Sequence, residues 1–178
     1  MKVFNTLTKK KEELKSINDK EIRMYSCGPT VYNYAHIGNL RTYIFMDILS
    51  KTIIANGYKL KHVMNITDVG HLVSDGDNGE DKMQKASERE HKSPYEIANY
   101  YTKAFLKDLE KLNIKKPDII AKATEHIPDM IEYVKKIMEN GYAYETSTGL
   151  YFDISKLPNY GILSGKNLQG EKAGARVN

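Results

Sequence analysis

The sequence has one cysteine, no tryptophan and five prolines, and it contains no long apolar run. The single cysteine, Cys27, excludes an internal disulfide framework. It also cannot hold a metal alone, because zinc usually needs three or four protein ligands. Nor do His36, His62, His71, His91 and His126 show a spacing typical of zinc sites. No apolar stretch approaches the roughly 20 residues of a membrane span. The opening Met1-Lys2-Val3-Phe4-Asn5-Thr6 turns polar before a signal-peptide core could form, which reads as a cytoplasmic protein. Charge of one sign is scarce too. The 27 basic and 23 acidic side chains leave +4, an excess that does not by itself imply nucleic acid. The densest basic run, Lys9 to Lys11, reads as a solvated turn.

What is present fits a soluble globular domain: 178 residues, 40% apolar and 28% charged. Residues 21 to 27 alternate like a strand, with Ile22, Met24 and Ser26 on one face and Arg23, Tyr25 and Cys27 on the other. From Leu40 the apolar residues Ile44, Phe45, Ile48, Leu49 and Ile53 follow a helical period, and Gly57 stands where a helix would end. Tyr58 to Ile66 reads as a second strand. Strand, helix and strand in that order make a βαβ unit and hence a parallel sheet. Ser93-Pro94-Tyr95-Glu96 is a capping box with proline in the first helical position. It opens a helix with Ile97, Tyr101, Phe105, Leu109 and Leu112 on one side, broken by Lys115-Lys116-Pro117. Another helix is expected from about Ile127 to Asn140, bearing Met130, Ile131, Val134 and Ile137. A hairpin is expected from Tyr142 to Glu145 and from Leu150 to Ile154. The acid-rich stretch 74–81 is not a calcium loop, since Gly79 and Ala86 stand where oxygen ligands are needed; it reads as a mobile surface loop.

The most informative run is Cys27-Gly28-Pro29-Thr30-Val31-Tyr32 followed by Asn33-Tyr34-Ala35-His36-Ile37-Gly38-Asn39. It lies between a strand and the start of a helix, where unpaired N–H groups and the helix dipole favour an anion such as a phosphate. His36 and Asn39 add side-chain donors there, and Cys27 adds a thiol at the end of the strand. In open α/β sheets that edge is where ligands bind. Thr67 and Asp68 end the second strand and face the same edge. They could receive a substrate ammonium group or simply form a turn.

These strings, with Asn65-Ile66-Thr67-Asp68, closely resemble cysteinyl-tRNA synthetase, a class I aminoacyl-tRNA synthetase. The opening Phe4-Asn5-Thr6-Leu7, the later Tyr160 to Gly165 and Ala173 to Val177 resemble it as well, so the likeness covers essentially the whole chain. The resemblance implies a Rossmann-like α/β catalytic domain that activates L-cysteine with ATP and esterifies it to tRNA(Cys). Under it, residues 1–114 are the first half of the nucleotide-binding domain and 115–178 the start of a connective α+β insertion. His36 and Asn39 are then catalytic, donating to the ATP phosphates. ATP contacts fall at Gly28, Pro29, Thr30, His36, Gly38 and Asn39, with magnesium accompanying the nucleotide. Cysteine contacts fall at Cys27, Gly28 and Thr67. Cys27 is the first of four ligands to a zinc ion that takes the substrate's thiolate, which a serine hydroxyl would replace poorly.

In that family the other zinc ligands, the second signature loop and the anticodon-binding helices lie further along. The 178 residues alone are therefore expected not to aminoacylate tRNA, and the complete enzyme is expected to be a monomer. The ligase joining cysteine to an amino sugar in mycothiol synthesis shares Cys27 and the first signature. A non-catalytic binding paralogue is the remaining alternative.

Overall fold

The computed structural model describes residues 1–17, 20–69, 82–147 and 149–165. In chain order its elements are β1 (Lys2–Asn5), β2 (Lys10–Glu13), β3 (Glu21–Ser26), α1 (Ile37–Ala55) and β4 (Lys59–Ile66). There follow α2 (Lys82–Glu90), α3 (Pro94–Lys111), β5 (Ile119–Lys122), α4 (Ile127–Glu139), β6 (Ala143–Thr146) and β7 (Gly149–Phe152). They fall into two compact units, one built on β3, α1, β4, α2, α3 and β5, the other on β1, β2, α4, β6 and β7.

The first unit is an α/β domain around a parallel sheet of order β3-β4-β5. Parallel neighbours need a crossover connection, supplied by α1 between β3 and β4 and by α2 and α3 between β4 and β5. The register sets Ile22 beside Leu60, Ser26 beside Met64 and Val63 beside Ile119. One face of the sheet is the core face: His62, Met64 and Ile66 of β4 are all buried. Met64 and Ile66 pack with Val31, Tyr43 of α1, Ala86 of α2, and Ile97, Tyr101, Phe105 and Leu109 of α3. The opposite face carries Tyr25, Val63 and Ile119 in one register row, and Tyr25 is 66% exposed.

The alternation in β3 is as the sequence predicts, with Ile22 and Ser26 buried and Arg23, Tyr25 and Cys27 exposed. The predicted capping box of α3 is present: Glu96 N donates to Ser93 Oγ and Ser93 N to Glu96 Oε2. Leu112, expected on the apolar side, is the C-cap and is exposed. Gly57 follows the end of α1 with φ +81°, a conformation open to glycine at little cost.

Helix α1 departs from expectation. It begins at Ile37, three residues before Leu40, and its buried line is Tyr43, Asp47, Ser50 and Ile53. Ile44, Phe45 and Ile48 lie on the exposed side. The helix is apolar on both sides, so counting apolar residues alone selects the wrong line. Two polar residues occupy the inner line because each is bonded there. Asp47 accepts from Lys51 Nζ (2.6 Å) and from the Lys115 N–H (2.9 Å), and Ser50 Oγ donates to the Met46 carbonyl.

Four elements have no counterpart in the sequence reading: β1 and β2, which form a hairpin, α2 and β5. Lys10 and Lys11, read as turn residues, pair within β2, and only Lys9 of that run lies in the turn, at φ +57°. In the second unit β6 and β7 form the expected antiparallel hairpin. Helix α4 forms with its Ile127, Met130, Ile131 and Val134 exposed. The acid-rich stretch 74–81 and the string 173–177 lie outside the described residues.

Candidate active site

The candidate site is the edge where β3 and β4 end. After Ser26 the chain leaves the regular ladder at Cys27 to Pro29 and continues parallel to the end of β4. Thr67 N donates to the Pro29 carbonyl (3.0 Å), Val31 N donates to the Thr67 carbonyl (3.1 Å), and Thr30 forms a parallel bridge with Thr67. Cys27, Gly28, Pro29, Thr30 and Thr67 are thereby brought together. Cys27 is exposed, and its thiol donates to the Gly28 carbonyl at 3.7 Å.

Asn65 ties this edge together. Its Oδ1 accepts from Gly28 N (2.8 Å) and from the Tyr25 hydroxyl (2.9 Å), and its Nδ2 donates to Thr67 Oγ1 (3.2 Å). The backbone of Gly28 presses on the same residue: a Cβ at Gly28 would stand 1.6 Å from the Asn65 carbonyl oxygen. Only glycine allows that approach. Asp68, the other residue expected at this edge, is buried and committed. Its two oxygens accept from Thr124 N (3.0 Å) and Thr124 Oγ1 (2.5 Å), so it fastens the strand end rather than facing a ligand.

The second cluster is the start of α1. His36 is the N-cap: Gly38 N donates to its Nδ1 (3.1 Å), while the His36 N–H donates to Asn39 Oδ1 (3.1 Å). Because Nδ1 accepts, the neutral ring carries its proton on Nε2. The amide of Asn39 likewise spends its oxygen on the cap and keeps Nδ2 as a donor. No acidic residue occupies the first turn, so the positive end of the helix dipole is not offset by the helix's own side chains. Gly38 lies under the imidazole, where a Cβ would meet His36 Cε1 at 2.9 Å.

The chain from Val31 to Ala35 joins the two clusters, and it is anchored from behind. Val31 is buried in the core, and Arg89 Nη2 donates to the Tyr32 carbonyl. The hydroxyls of Tyr34 and Tyr100 share a 2.6 Å hydrogen bond, which pushes the Tyr34 phenol up to about 12. The Tyr34 ring meets Tyr101 edge-on at 5.0 Å, and Tyr101 donates to Glu90. Beneath Cys27, Ser26 Oγ and His62 Nε2 form a buried 2.7 Å hydrogen bond. Burial holds the His62 ring below its ordinary pKa; Asp118 opposes that shift and Lys115 adds to it. Burial, with a smaller contribution from the Cys27 sulfur, pushes the Tyr43 phenol up to about 12.

A family profile described as tRNA synthetases class I (C), catalytic domain, matches residues 13–178. The chain belongs to the class I (C) tRNA synthetases. A cysteine–tRNA ligase of Treponema denticola is 57% identical to this synthetase chain over 177 residues, which are 99% of this chain and 36% of that protein. One from Zymomonas mobilis is 51% identical over 162 residues, 91% of this chain and 31% of its own length. One from Pyrococcus abyssi is 45% identical over 177 residues, 99% and 35% respectively. The synthetase chain thus spans about a third of the length of these relatives.

Among its described residues, no group of three or more His, Cys, Asp or Glu side chains could hold a metal ion. Cys27 therefore offers one thiol to a metal and not a site. No helix among those residues is long and apolar enough to cross a membrane. The residues that sequence reasoning passed over are Asn65 as a hub and Tyr34, Arg89, Tyr100 and Tyr101 as anchors. Asn65 was visible only as a letter of a matching string, and the anchors meet through space from distant positions.

Proposed function

We propose that the chain is the N-terminal part of a cysteine–tRNA ligase, which activates L-cysteine with ATP to cysteinyl-AMP and pyrophosphate and passes cysteine to tRNA(Cys). The observation that carries this reading is the meeting, at one sheet edge, of an exposed thiol and a helix start with outward-facing donors. In it, His36 Nε2–H and Asn39 Nδ2 donate to the ATP phosphates, and the backbone at Gly28, Pro29, Thr30 and Gly38 lets the nucleotide approach closely. No covalent enzyme intermediate is needed, because positioning and charge stabilisation suffice for attack of the carboxylate on the α-phosphorus.

Cys27, Gly28 and Thr67 take the amino acid in this reading. The Cys27 thiol would be one ligand of a zinc ion whose remaining ligands lie outside the described residues. When bound, such an ion would supply a soft Lewis acid for the substrate's thiolate. Magnesium would accompany ATP. In this reading residues 1–114 are the first half of the nucleotide-binding domain and 115–178 the start of the connective insertion. The protein acts in the cytoplasm, and the complete enzyme is a monomer.

The test is cysteine-dependent ATP–pyrophosphate exchange and aminoacylation by the full-length protein carrying this chain. Exchange and tRNA charging are expected there, and neither is expected from residues 1–178 alone. Transfer to an amino sugar instead of tRNA would overturn the acceptor assignment. Robust exchange by the 178-residue chain would overturn the claim that it is only part of the active site.

A further inference from the structure

We infer that Asn65 is a positioning residue: by donating to Thr67 Oγ1 it directs the Thr67 hydroxyl proton to the open edge, where it donates to the carboxylate of the bound amino acid. The inference rests on the reading above, in which the edge between Cys27 and Thr67 holds the amino acid.

The orientation of the Asn65 amide follows from its partners. Gly28 N is a backbone N–H and can only donate, so the group facing it at 2.8 Å must be the oxygen, Oδ1. The Tyr25 hydroxyl donates to the same oxygen. That leaves Nδ2 facing Thr67 Oγ1 at 3.2 Å, and an amide nitrogen only donates. Thr67 Oγ1 therefore accepts, and its one proton is left for another partner. The Thr67 main chain is already used, its N–H on Pro29 and its carbonyl on Val31. The nearest carboxylate in sequence, Asp68, is occupied by Thr124. The half-buried Thr67 hydroxyl thus presents a donor to the open edge, and of the charged ends of an amino acid only the carboxylate accepts.

Asn65→Asp isolates this effect. An aspartate keeps an oxygen for Gly28 N and the Tyr25 hydroxyl but loses the Nδ2 donor, so the Thr67 proton turns toward Asn65's replacement. In the full-length protein the expected result is a rise of about tenfold or more in KM for cysteine, the size of one lost hydrogen bond to a charged group. KM for ATP should change by less than about twofold over the same comparison, since a site-wide collapse would move both. Thr67→Val should match that loss, and Thr67→Ser, which keeps the hydroxyl, should restore affinity near the parent's.

The added negative charge could itself repel a carboxylate, and the double variant separates the two causes. If Asn65 acts through the hydroxyl, Asn65→Asp adds little in the Thr67→Val background. An undiminished effect there, or an unchanged cysteine KM in the single variant, overturns the inference while leaving the functional reading in place. A parent protein with no cysteine-dependent exchange and no L-cysteine binding by calorimetry overturns the functional reading and the inference with it. Should Asn65→Asp fail to fold, the Thr67→Val and Thr67→Ser pair decides: equal KM values for cysteine in those two would overturn the donor role.

Discussion

At His36 one ring nitrogen serves the helix and the other does not. Nδ1 caps α1 by accepting from Gly38, and the outward Nε2–H is the atom the proposed chemistry uses. The two duties are separable. Asparagine is among the preferred N-cap residues, so His36→Asn should keep stability within about 0.5 kcal/mol. It removes the Nε2 donor, and on the proposed reading exchange by the full-length protein should fall about 100-fold, as on loss of one transition-state donor. Parallel urea unfolding and exchange assays check both. Near-parental exchange in a stably folded His36→Asn protein would remove His36 from the mechanism.

Among the elements, α1 has an inner line that is partly polar and an outer line that is apolar. Asp47 on the inner line joins Lys51 of its own helix to the Lys115 N–H ahead of β5. Asp47→Ala leaves that N–H unpaired and should destabilise the 178-residue chain by about 1–3 kcal/mol. Phe45→Ser on the outer line should change stability by less than about 0.5 kcal/mol. Denaturant unfolding that ranked the two in the opposite order would reverse the assignment of the faces. The same helix explains much of what the sequence could and could not disclose. Where burial and apolarity largely coincide, as in α3, periodicity and caps read correctly, and in β3 the alternation reads although Ser26 is buried. In α1 they part company, because Asp47 and Ser50 are buried through hydrogen bonds. β5 escaped because its apolar run, Ile119-Ile120-Ala121, is only three residues long behind Lys115-Lys116-Pro117. The site was legible where its residues are contiguous, from Cys27 to Asn39. It was not legible at Asn65, whose importance lies in three partners that only the fold brings to it.

For the molecule as a whole, acid sensitivity should come in two steps. His62 is held below its ordinary pKa by burial, so below about pH 6.5 the unfolded chain binds a proton that the folded chain resists. Its contribution is present above that pH and is lost as pH falls toward the depressed folded value. The carboxylates act lower. Glu96 is held below its usual range by Ser93, Glu90 by Tyr101 and Asp153 by Ser155, so their contributions fade only as those groups protonate. The unfolding midpoint of the 178-residue chain should therefore fall between pH 7.5 and 5.5, and His62→Gln should flatten that first slope while leaving the second. A first slope that survives His62→Gln would assign it to another group.

Gly28 and Gly38 carry different consequences for heredity. A side chain at Gly38 meets only the imidazole of His36, a side chain that can turn aside. A side chain at Gly28 meets main-chain oxygen, which no substitution elsewhere can trim away. A selection for recovered growth after damage at codon 28 should then return the original glycine and nothing else, whereas damage at codon 38 should also return alanine. The two glycines differ in whether their lineages can ever drift, although on paper they are the same letter.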